Sequence, residues 1–390
     1  MSFYDDASLI MYPSGYKEDK IYSLKPTNGT GDLTFSRASS ATRVNAEGLI
    51  ETASVLGAEE VTNGDFSADS DWTKGTGWSI SAGSARFNSA STYTFLSQDL
   101  GTIVGNTYLI KLSCTVTSGD LNITLADDPN FRITTTGVYE FKLTPTGGGS
   151  SDTLIRIYTT IASSNTSIDN ISVKEVITSN VPRIDYSNEC GSLLLEKQST
   201  NLVTYSEDFS NAAWIKTDIT ITSNNATSPD GTQNADKLTE GTATASRHGL
   251  YQNVSGTANV SKTLSCFVKK NIGDFVQLSF NDSQPDNWVA IVANLSTGQI
   301  VDTASAATAT YENSKIESFE NGWYRISVTG KYNTATYHSK ILTCDSASPT
   351  RDNYGNAFFN GNGTRSFYIY GAQLEQSSYP TSYIISNSGT

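Results

Sequence analysis

The chain is poor in histidine and cysteine, the side chains on which many catalytic and metal sites depend. Its 390 residues include two histidines, His248 and His338, and four cysteines, none of which forms a Cys-x-x-Cys pair. We find no GxSxG motif, and carboxylates are so frequent that no pair stands out as that of a glycosidase. These absences predict a protein that is not an enzyme, with its cysteines as small buried residues of a reduced chain.

Basic residues are also scarce. Lys and Arg number 26 against 39 Asp and Glu, which gives a net charge of −13 and a pI near 4.6. Such a surface repels phosphates, so we expect no nucleic-acid partner. No segment reaches the roughly 18 apolar residues of a membrane span, and the N-terminus lacks the basic and apolar regions of a secretory signal. We expect no membrane insertion, and synthesis in a cytoplasm.

Aromatic and β-branched residues, in contrast, are plentiful among many turn-forming residues. In the segment VYEFKLT, Tyr139, Phe141 and Leu143 alternate with polar residues, which predicts a strand with one buried face. WYRISVT repeats the pattern and places Trp323 on the outward side, where it is either exposed or in contact with a partner. Gly298 in NLSTGQIV predicts a hairpin turn. No segment shows a helical period, so the sequence predicts an all-β fold.

The chain also repeats itself. VTNGDFSADSDW at 61–72 returns as VTYSEDFSNAAW at 203–214. Further anchors recur in the same order with different spacings, which is typical of loops that vary on a common scaffold. We therefore infer two copies of one β-domain. The paired anchors are SQDL and YQNV, LSCTV and LSCFV, TGVYEFKLT and NGWYRISVT, and IDNISVKE and IYGAQLEQ.

A third unit is predicted outside the two copies. FSRASSATRVNAEGLIE and VPRIDYSNECGSLLLE each run from an arginine through a polar turn and a glycine to an apolar residue and a glutamate. A domain whose ends lie close together can be inserted into a loop of another. We predict two tandem jelly-roll sandwiches, at 58–177 and 200–390, and an N-terminal anchoring segment, 1–57, that is completed by 178–199.

Several of these motifs resemble a recurring set in tailed-bacteriophage virion proteins. They are LTFSRASSATRVNAEGLIE, NVPRIDY, GSLLLEKQSTNLVTYSEDFSNAAW, NGWYRISVTG and YGAQLEQSSYPTSYI. Such proteins serve as head-fibre, head-decoration or tail-fibre subunits. The resemblance implies assembly in the bacterial host cytoplasm, a location on the virion, contacts with capsid or tail proteins, and a homo-oligomer.

The repeats themselves resemble carbohydrate-binding modules of the galactose-binding jelly-roll type, through NGDFS…W…G, GNTYLIKLS and IDNISV. Such modules stack an aromatic side chain on a sugar ring. Trp288 and Tyr354 lie in insertions of the second copy and are the preferred candidates, followed by Trp72 and Tyr337. Trp72 and its repeat partner Trp214 have the alternative role of core residues.

The same resemblance implies a structural Ca²⁺ ion in the first jelly roll. Asp169 matches the last-strand carboxylate of related proteins, with Asn63 or Asp65 as partners. Hard oxygen ligands of this kind suit Ca²⁺. The second copy has Tyr370 in place of Asp169, which argues against the same site there.

The functional expectation is a non-enzymatic virion structural protein, a head-fibre, decoration or tail-fibre subunit, whose jelly rolls bind host-surface glycans. The alternatives are a receptor-binding tail protein and a polysaccharide-degrading depolymerase. Phage depolymerases are commonly β-helices, and the chain shows no repeat of that short period.

Overall fold

A computed structural model describes residues 3–37, 39–102, 104–126, 130–147, 153–187, 190–282, 284–306 and 309–387. Strands account for 52% and helices for 2% of the chain, so the all-β prediction is confirmed. Helical structure in these ranges comprises α1 (Phe3–Asp6) and a 3-10 turn, Glu320–Gly322. No helix in them is long and apolar enough to cross a membrane.

The N-terminal region contains two small antiparallel sheets. The strands are β1 (Ile10–Lys17), β2 (Lys20–Lys25), β3 (Leu33–Thr34), β4 (Thr42–Val44) and β5 (Ile50–Thr52). The first sheet has the order β1-β2-β3, and β4 pairs with β5. Arg43 on β4 lies opposite Glu51 on β5, and their side chains form an ion pair of 2.8 Å. This cross-strand pair stabilises a hairpin too short to have a core.

The first sandwich follows. Its strands are β6 (Val55–Glu59), β7 (Thr73–Lys74), β8 (Trp78–Ser81), β9 (Ser84–Ser89), β10 (Leu96–Asp99), β11 (Tyr108–Ser118), β12 (Leu121–Leu125), β13 (Asn130–Ile133), β14 (Gly137–Leu143), β15 (Leu154–Tyr158) and β16 (Ser164–Ile177). One sheet has the order β13-β12-β15-β10-β7 and the other β14-β11-β16-β9-β8, with β6 beside β16. Tyr139, Phe141 and Leu143 face the core while Val138 is 85% exposed, as the alternation predicts.

After the first sandwich the chain returns to the N-terminal region. β17 (Ile184–Asp185) and β18 (Ser192–Leu193) form a small antiparallel pair. Asp185 accepts a hydrogen bond of 2.8 Å from the Val44 backbone N–H, and the Tyr186 N–H donates to the Val44 carbonyl at 3.0 Å. We call β4, β5, β17 and β18 together the split element, because the first sandwich separates its halves in sequence.

The second sandwich contains β19 (Ile215–Thr217), β20 (Ile219–Ala226), β21 (Ala235–Glu240), β22 (Gly249–Ser255), β23 (Ser261–Ile272), β24 (Phe275–Asn281), β25 (Trp288–Asn294), β26 (Gln299–Ser305), β27 (Thr310–Phe319), β28 (Trp323–Lys331), β29 (Thr336–Cys344) and β30 (Ser366–Glu375). Its sheets have the orders β19-β22-β29-β24-β25-β26 and β20-β21-β30-β23-β28-β27. The predicted hairpin joins β25 to β26, and Gly298 has a φ of 64° in its turn.

The two sandwiches share one topology. β7 to β13 correspond in order to β19 to β25, and β14 to β16 correspond to β28 to β30. β26 and β27 are additional edge strands, one on each sheet. They account for the longer spacing between LSCFV and NGWYRISVT in the second copy.

A shared bulge fixes the register between the copies. Asn170 in β16 and Gly371 in β30 both have positive φ angles, 51° and 59°. The next residue in each strand, Ile171 or Ala372, donates its backbone N–H to the opening loop of its copy.

The bulge also aligns the neighbouring strands, β11 and β23. Lys111 pairs with Ser172, two residues after Asn170, and Ser265 pairs with Gln373, two residues after Gly371. Cys266 therefore corresponds to Leu112 and not to Cys114. The predicted LSC equivalence is therefore wrong by two residues, a shift that leaves both cysteines facing inward.

Trp323 lies on the outward face of β28, yet it is only 1% exposed. It is buried in a cluster with Ile50 of the split element and with Phe267, Tyr370 and Tyr383. Its indole N–H donates to the Thr227 carbonyl at 3.0 Å. Part of the same chain therefore covers this face, and the outward tryptophan is neither exposed nor left for another molecule.

The cysteines are free in this structure. Cys114, Cys266 and Cys344 are buried, as expected. Cys190 is exposed, so the prediction of burial is wrong for it. It lies shortly before β18 in the split element.

Candidate functional site

Trp72, predicted as a sugar-binding residue, is part of the core. It is 7% exposed and packs on Phe66, with ring centroids 5.3 Å apart, and its indole N–H donates to the Asn63 carbonyl. Trp214 packs on Phe209 at 5.2 Å in the same way. Since neither ring can be reached by a sugar, the alternative core role is the correct one for Trp72.

Tyr337 is also unavailable as a sugar platform. Its position on β29 puts it on the inward side with Ile341, and it is fully buried. Its hydroxyl donates to the Thr257 carbonyl at 2.9 Å, and the Lys262 ammonium lies 4.3 Å from its ring centroid. Tyr337 is therefore a core residue of the second sandwich, and the prediction that it binds sugar is wrong.

Trp288 and Tyr354 come together beside the second sandwich. Trp288 is half-buried, because Gly355 lies directly against its indole and the Arg351 guanidinium is 5.8 Å from its ring. Tyr354, the neighbour of Gly355, is 38% exposed. The structure therefore brings Trp288 of β25 next to Tyr354 of the loop 345–365, and the tyrosine ring is the more accessible of the two.

This long loop covers the outer face of the sheet that contains β29. The Lys340 ammonium donates to Asn356 at 2.7 Å and to the Tyr354 carbonyl at 3.2 Å, and Gln277 donates to the Gly355 carbonyl. Burial lowers the pKa of Lys340 to about 7. The loop thus fills the face with protein groups and leaves a cavity of only about 10 Å³ around Tyr251.

The equivalent face of the first sandwich carries an open aromatic cluster. The rings of Tyr93 and Tyr158 are stacked, with centroids 5.8 Å apart and an interplanar angle of 27°. Phe95 lies 5.3 Å from Tyr158, and the Arg156 guanidinium is 5.0 Å from the Phe95 ring. We call these four residues the aromatic platform. Sequence reasoning overlooked it, although Arg156 and Tyr158 alternate with inward residues in LIRIYTT.

A short connection leaves this platform accessible. From β15 to β16 the chain spans only residues 159–163, whereas the corresponding connection from β29 to β30 spans 345–365. Tyr93 is accordingly 61% exposed. Loop length therefore decides which of the two equivalent faces can meet a ligand.

The backbone holds Tyr93 in an unusual conformation. Its φ is 54°, in the left-handed region that bulky residues rarely adopt. A hydrogen bond of 2.9 Å from its N–H to the Thr159 carbonyl fixes it beside β15. Strain of this kind costs on the order of 1 kcal/mol and is often found at binding sites. Here it brings the ring over Tyr158.

Polar side chains lie next to the platform. Asn122, which is opposite Tyr158 across the sheet, donates to Asp120 at 2.9 Å, and Arg132 donates to the same carboxylate at 2.9 Å. Burial opposes ionisation of Asp120, but bonds from Thr160, Asn122 and Arg132 outweigh it and lower its pKa to about 2. The network is charged, and its exposed member is Arg132, whereas Asp120 and Asn122 are buried.

The two faces have a common plan. Arg156 lies between Ser97 and Thr124 in the first sandwich, and Lys340 lies between Tyr251 and Ser279 in the second. Each face therefore has a cation at its centre and a hydroxyl on the next strand. In the second sandwich the loop supplies the partners of that cation, and in the first sandwich the cation lies beneath an aromatic ring.

The predicted calcium ligands have other partners. The Asn63 amide donates to the carbonyls of Ala68 and Ser70 within its own loop. Asp65 accepts from Ser67, and Asp169 accepts from the backbone N–H that follows it. In the ranges that the structure describes, no three His, Cys, Asp or Glu side chains form a group that could hold a metal. The calcium site stays a prediction.

The histidines have structural contacts. His248 is fully buried, with Nδ1 2.7 Å from the Asp218 carboxylate and its ring 4.6 Å from that of Phe359. His338 packs beside Tyr251 at 5.4 Å. Both rings thus contribute to packing.

No protein-family model matches the chain, and no curated protein matches it. Among solved structures it is similar to the CBM22-1–CBM22-2 tandem domain of Paenibacillus barcinonensis Xyn10C, with 11% identity, a TM-score of 0.28, and coverage of 83% of this chain and 98% of that one. A structure of carbohydrate-binding modules from the β-sandwich superfamily, with promiscuous specificity, shows 9% identity, a TM-score of 0.25, and coverage of 78% and 96%. Likeness at this level carries no inference about a ligand.

Proposed function

We propose that the protein is a non-enzymatic component of a bacteriophage particle and that its first sandwich binds host-surface glycans through the aromatic platform. The observation that carries the binding proposal is the stacking of Tyr93, which is exposed, on the half-buried Tyr158 beside Arg156. The preferred site therefore moves from the second sandwich, where sequence reasoning placed it, to the first.

The platform suits a sugar for physical reasons. The apolar C–H face of a pyranose stacks on tyrosine rings, and amides and guanidinium groups donate hydrogen bonds to its hydroxyls. Arg156 and Arg132, which is bonded to Asp120, offer guanidinium groups within the same face. Since their geometry is fixed by the sheet, little side-chain entropy is lost on binding.

The proposal of a virion location rests on the resemblance of the sequence motifs. The N-terminal sheet supports it, because apolar side chains remain exposed there and could be buried against a capsid or tail protein. They include Leu9, Leu24 and Leu33, each about half exposed at 50%, 51% and 47%. On a particle the protein would follow the local symmetry as a homo-oligomer, and many copies would strengthen weak sugar binding by avidity.

The binding proposal is tested with the full-length protein on an array of bacterial polysaccharides, followed by calorimetry with the best ligand. We expect Tyr158→Ala and Tyr93→Ala to weaken binding at least about tenfold through lost stacking. Tyr354→Ala, an exposed tyrosine of the second sandwich, is the matched control and should bind normally. The proposed platform would be contradicted if the wild-type protein bound no polysaccharide on the array, or if binding were lost in Tyr354→Ala alone.

The location is tested separately by electron microscopy of virions that lack the gene. We expect the particles to lose projecting density and this protein. An unchanged particle outline and protein inventory would refute the virion role without bearing on sugar binding. Release of reducing ends from polysaccharide by the purified protein would instead show that it is an enzyme.

A further inference from the structure

A cavity of about 300 Å³ lies between the second sandwich and the elements that cover it. Its floor is the outer face of β23, β27 and β28, where Phe267, Arg325 and Ser327 point outward. The split element and the C-terminal tail supply the walls, with Thr42, Thr381 and Ser382 among them. The volume is at the lower end of the range for small-molecule sites.

Lys315, Glu317 and Arg325 are the charged residues in the floor of this cavity, and the buried one is Arg325. The residue is only 7% exposed. One guanidinium nitrogen, Nη2, donates to the Ser265 hydroxyl at 3.1 Å, and the group lies 5.3 Å from the Phe267 ring centroid. Nε has no hydrogen-bond partner among the described residues. A guanidinium carries five N–H donors, and the protein acceptor found for Arg325 is the Ser265 hydroxyl.

The nearby carboxylates are engaged elsewhere. Glu317 lies directly opposite Arg325 across the sheet, but it pairs with Lys315 at 2.6 Å. Glu375 accepts from Thr381 and Gln373, and Glu196 pairs with Arg183. Among the described residues, none of these acids lies within 4.0 Å of Arg325, as no ion pair includes it.

A buried cation without an adjacent counter-charge is unfavourable, because the surrounding charges offset its desolvation only in part. Consistent with this, burial lowers the pKa of Arg325 despite the distant charges of Glu375 and Glu317. The arrangement is explained if an anion from outside the chain completes the pair. A carboxylate matches the planar fork of a guanidinium better than other small anions of the same charge.

We propose that this cavity binds an acidic sugar, with its carboxylate paired to Arg325. The residues Ser327, Thr329 and Ser382 line the cavity, and their hydroxyl groups suit the sugar's own hydroxyls. The ligand would bridge the second sandwich and the split element. The site is separate from the aromatic platform, and neither proposal depends on the other.

The test uses the full chain and two matched probes, glucuronate and its neutral amide, glucuronamide. A ligand that binds only the folded state raises the melting temperature. We expect glucuronate at millimolar concentration to raise it, and glucuronamide at the same concentration to have no effect. Calorimetry should show binding of glucuronate alone.

Variants assign the effect to the cavity. Arg325→Met should abolish the shift, and it should still fold because it removes an unpaired buried charge. Arg325→Lys keeps the charge but loses the fork, so we expect affinity about tenfold lower. Arg86→Met, an exposed arginine of the first sandwich, is the control and should respond like the wild type, as should Tyr158→Ala.

Three results would overturn the proposal. They are no binding of glucuronate, equal binding of glucuronamide, and a glucuronate shift that persists in Arg325→Met. If Arg325→Met does not fold, equal affinity of the wild type and Arg325→Lys for glucuronate would overturn it instead. Loss of binding in Tyr158→Ala would place the acidic sugar on the platform and also reject the cavity.

Discussion

Gln252 makes in the second sandwich the same two hydrogen bonds that Gln98 makes in the first. Oε1 of Gln98 accepts from the Thr62 backbone N–H at 2.8 Å, and Nε2 donates to the Thr62 carbonyl at 2.9 Å. Gln252 does the same with Thr204, at 2.7 and 3.0 Å. Each glutamine thus holds the opening loop of its copy against the sheet, as a neighbouring strand would.

Removing either amide should destabilise the protein. Gln98→Ala and Gln252→Ala each leave a backbone N–H and a carbonyl without their partners, which costs about 1–3 kcal/mol. Urea denaturation would measure the loss. Asn253→Ala, an exposed neighbour in β22, is the control and should cost less than about 0.5 kcal/mol. A loss in Gln252→Ala no greater than in the control would show that the bonds do not matter.

Much of the fold could be predicted from the sequence because buried and exposed residues still alternate along the strands where the loops of the two copies differ. Tyr139, Phe141 and Leu143 keep one face buried, and that pattern identifies the strand whatever the loops do. The glutamine anchors also identify the duplication, since a side chain that bonds to backbone cannot be changed freely. The same period of two residues explains why the predicted equivalence of LSCTV and LSCFV is wrong. A shift of two residues along a strand leaves the same side chains facing the core, so the pattern does not reveal it.

The candidate site could not be predicted in the same way. Tyr93 and Tyr158 lie far apart in sequence and meet only through the pairing of β10 with β15. Tyr337 lies on a strand whose two faces are both covered, so alternation does not reveal which face meets solvent. Trp288 lies on β25, a strand common to both sandwiches, and the inserted loop 345–365 folds back on the sheet and covers it.

The left-handed backbone of Tyr93 allows its stability and binding contributions to be separated. Glycine adopts a φ of 54° without strain, whereas alanine does not. We expect Tyr93→Gly to be more stable than Tyr93→Ala by about 1 kcal/mol, while both lose the stacked ring and weaken glycan binding alike. Urea denaturation and calorimetry would measure the two effects. A glycine variant less stable than the alanine variant would show that residue 93 is not left-handed in solution.

Asp120 should make the first sandwich sensitive to acid. Its pKa is about 2 in the folded chain, because bonds from Thr160, Asn122 and Arg132 outweigh the effect of burial, against about 3.9 when unfolded. The folded pKa is depressed, so the stabilisation is complete above the unfolded value and is lost as the pH falls from about 4 to 2. On the order of 2 kcal/mol is involved.

Denaturation curves of the wild type and Asp120→Asn over this range would measure the effect. The variant should lose less stability on acidification, since it has no carboxylate to protonate. Glu47→Gln, an exposed acid, is the control and should follow the wild type. Parallel pH profiles for the wild type and Asp120→Asn would contradict the predicted network.

Lys340 should make the stability of the second sandwich rise with pH as well, but over an alkaline range. Burial lowers its pKa to about 7, and the unfolded lysine keeps about 10.4. Between these values the unfolded chain binds the additional proton, so stability should rise with pH by up to about 1.4 kcal/mol per unit. Lys262, whose pKa burial lowers to about 8, adds to the slope above that pH. Lys340→Met should flatten the rise between pH 7 and 8, and Lys142→Met, a change of an exposed lysine in the first sandwich, should not. An unchanged slope in Lys340→Met would mean that the loop 345–365 leaves this ammonium in water.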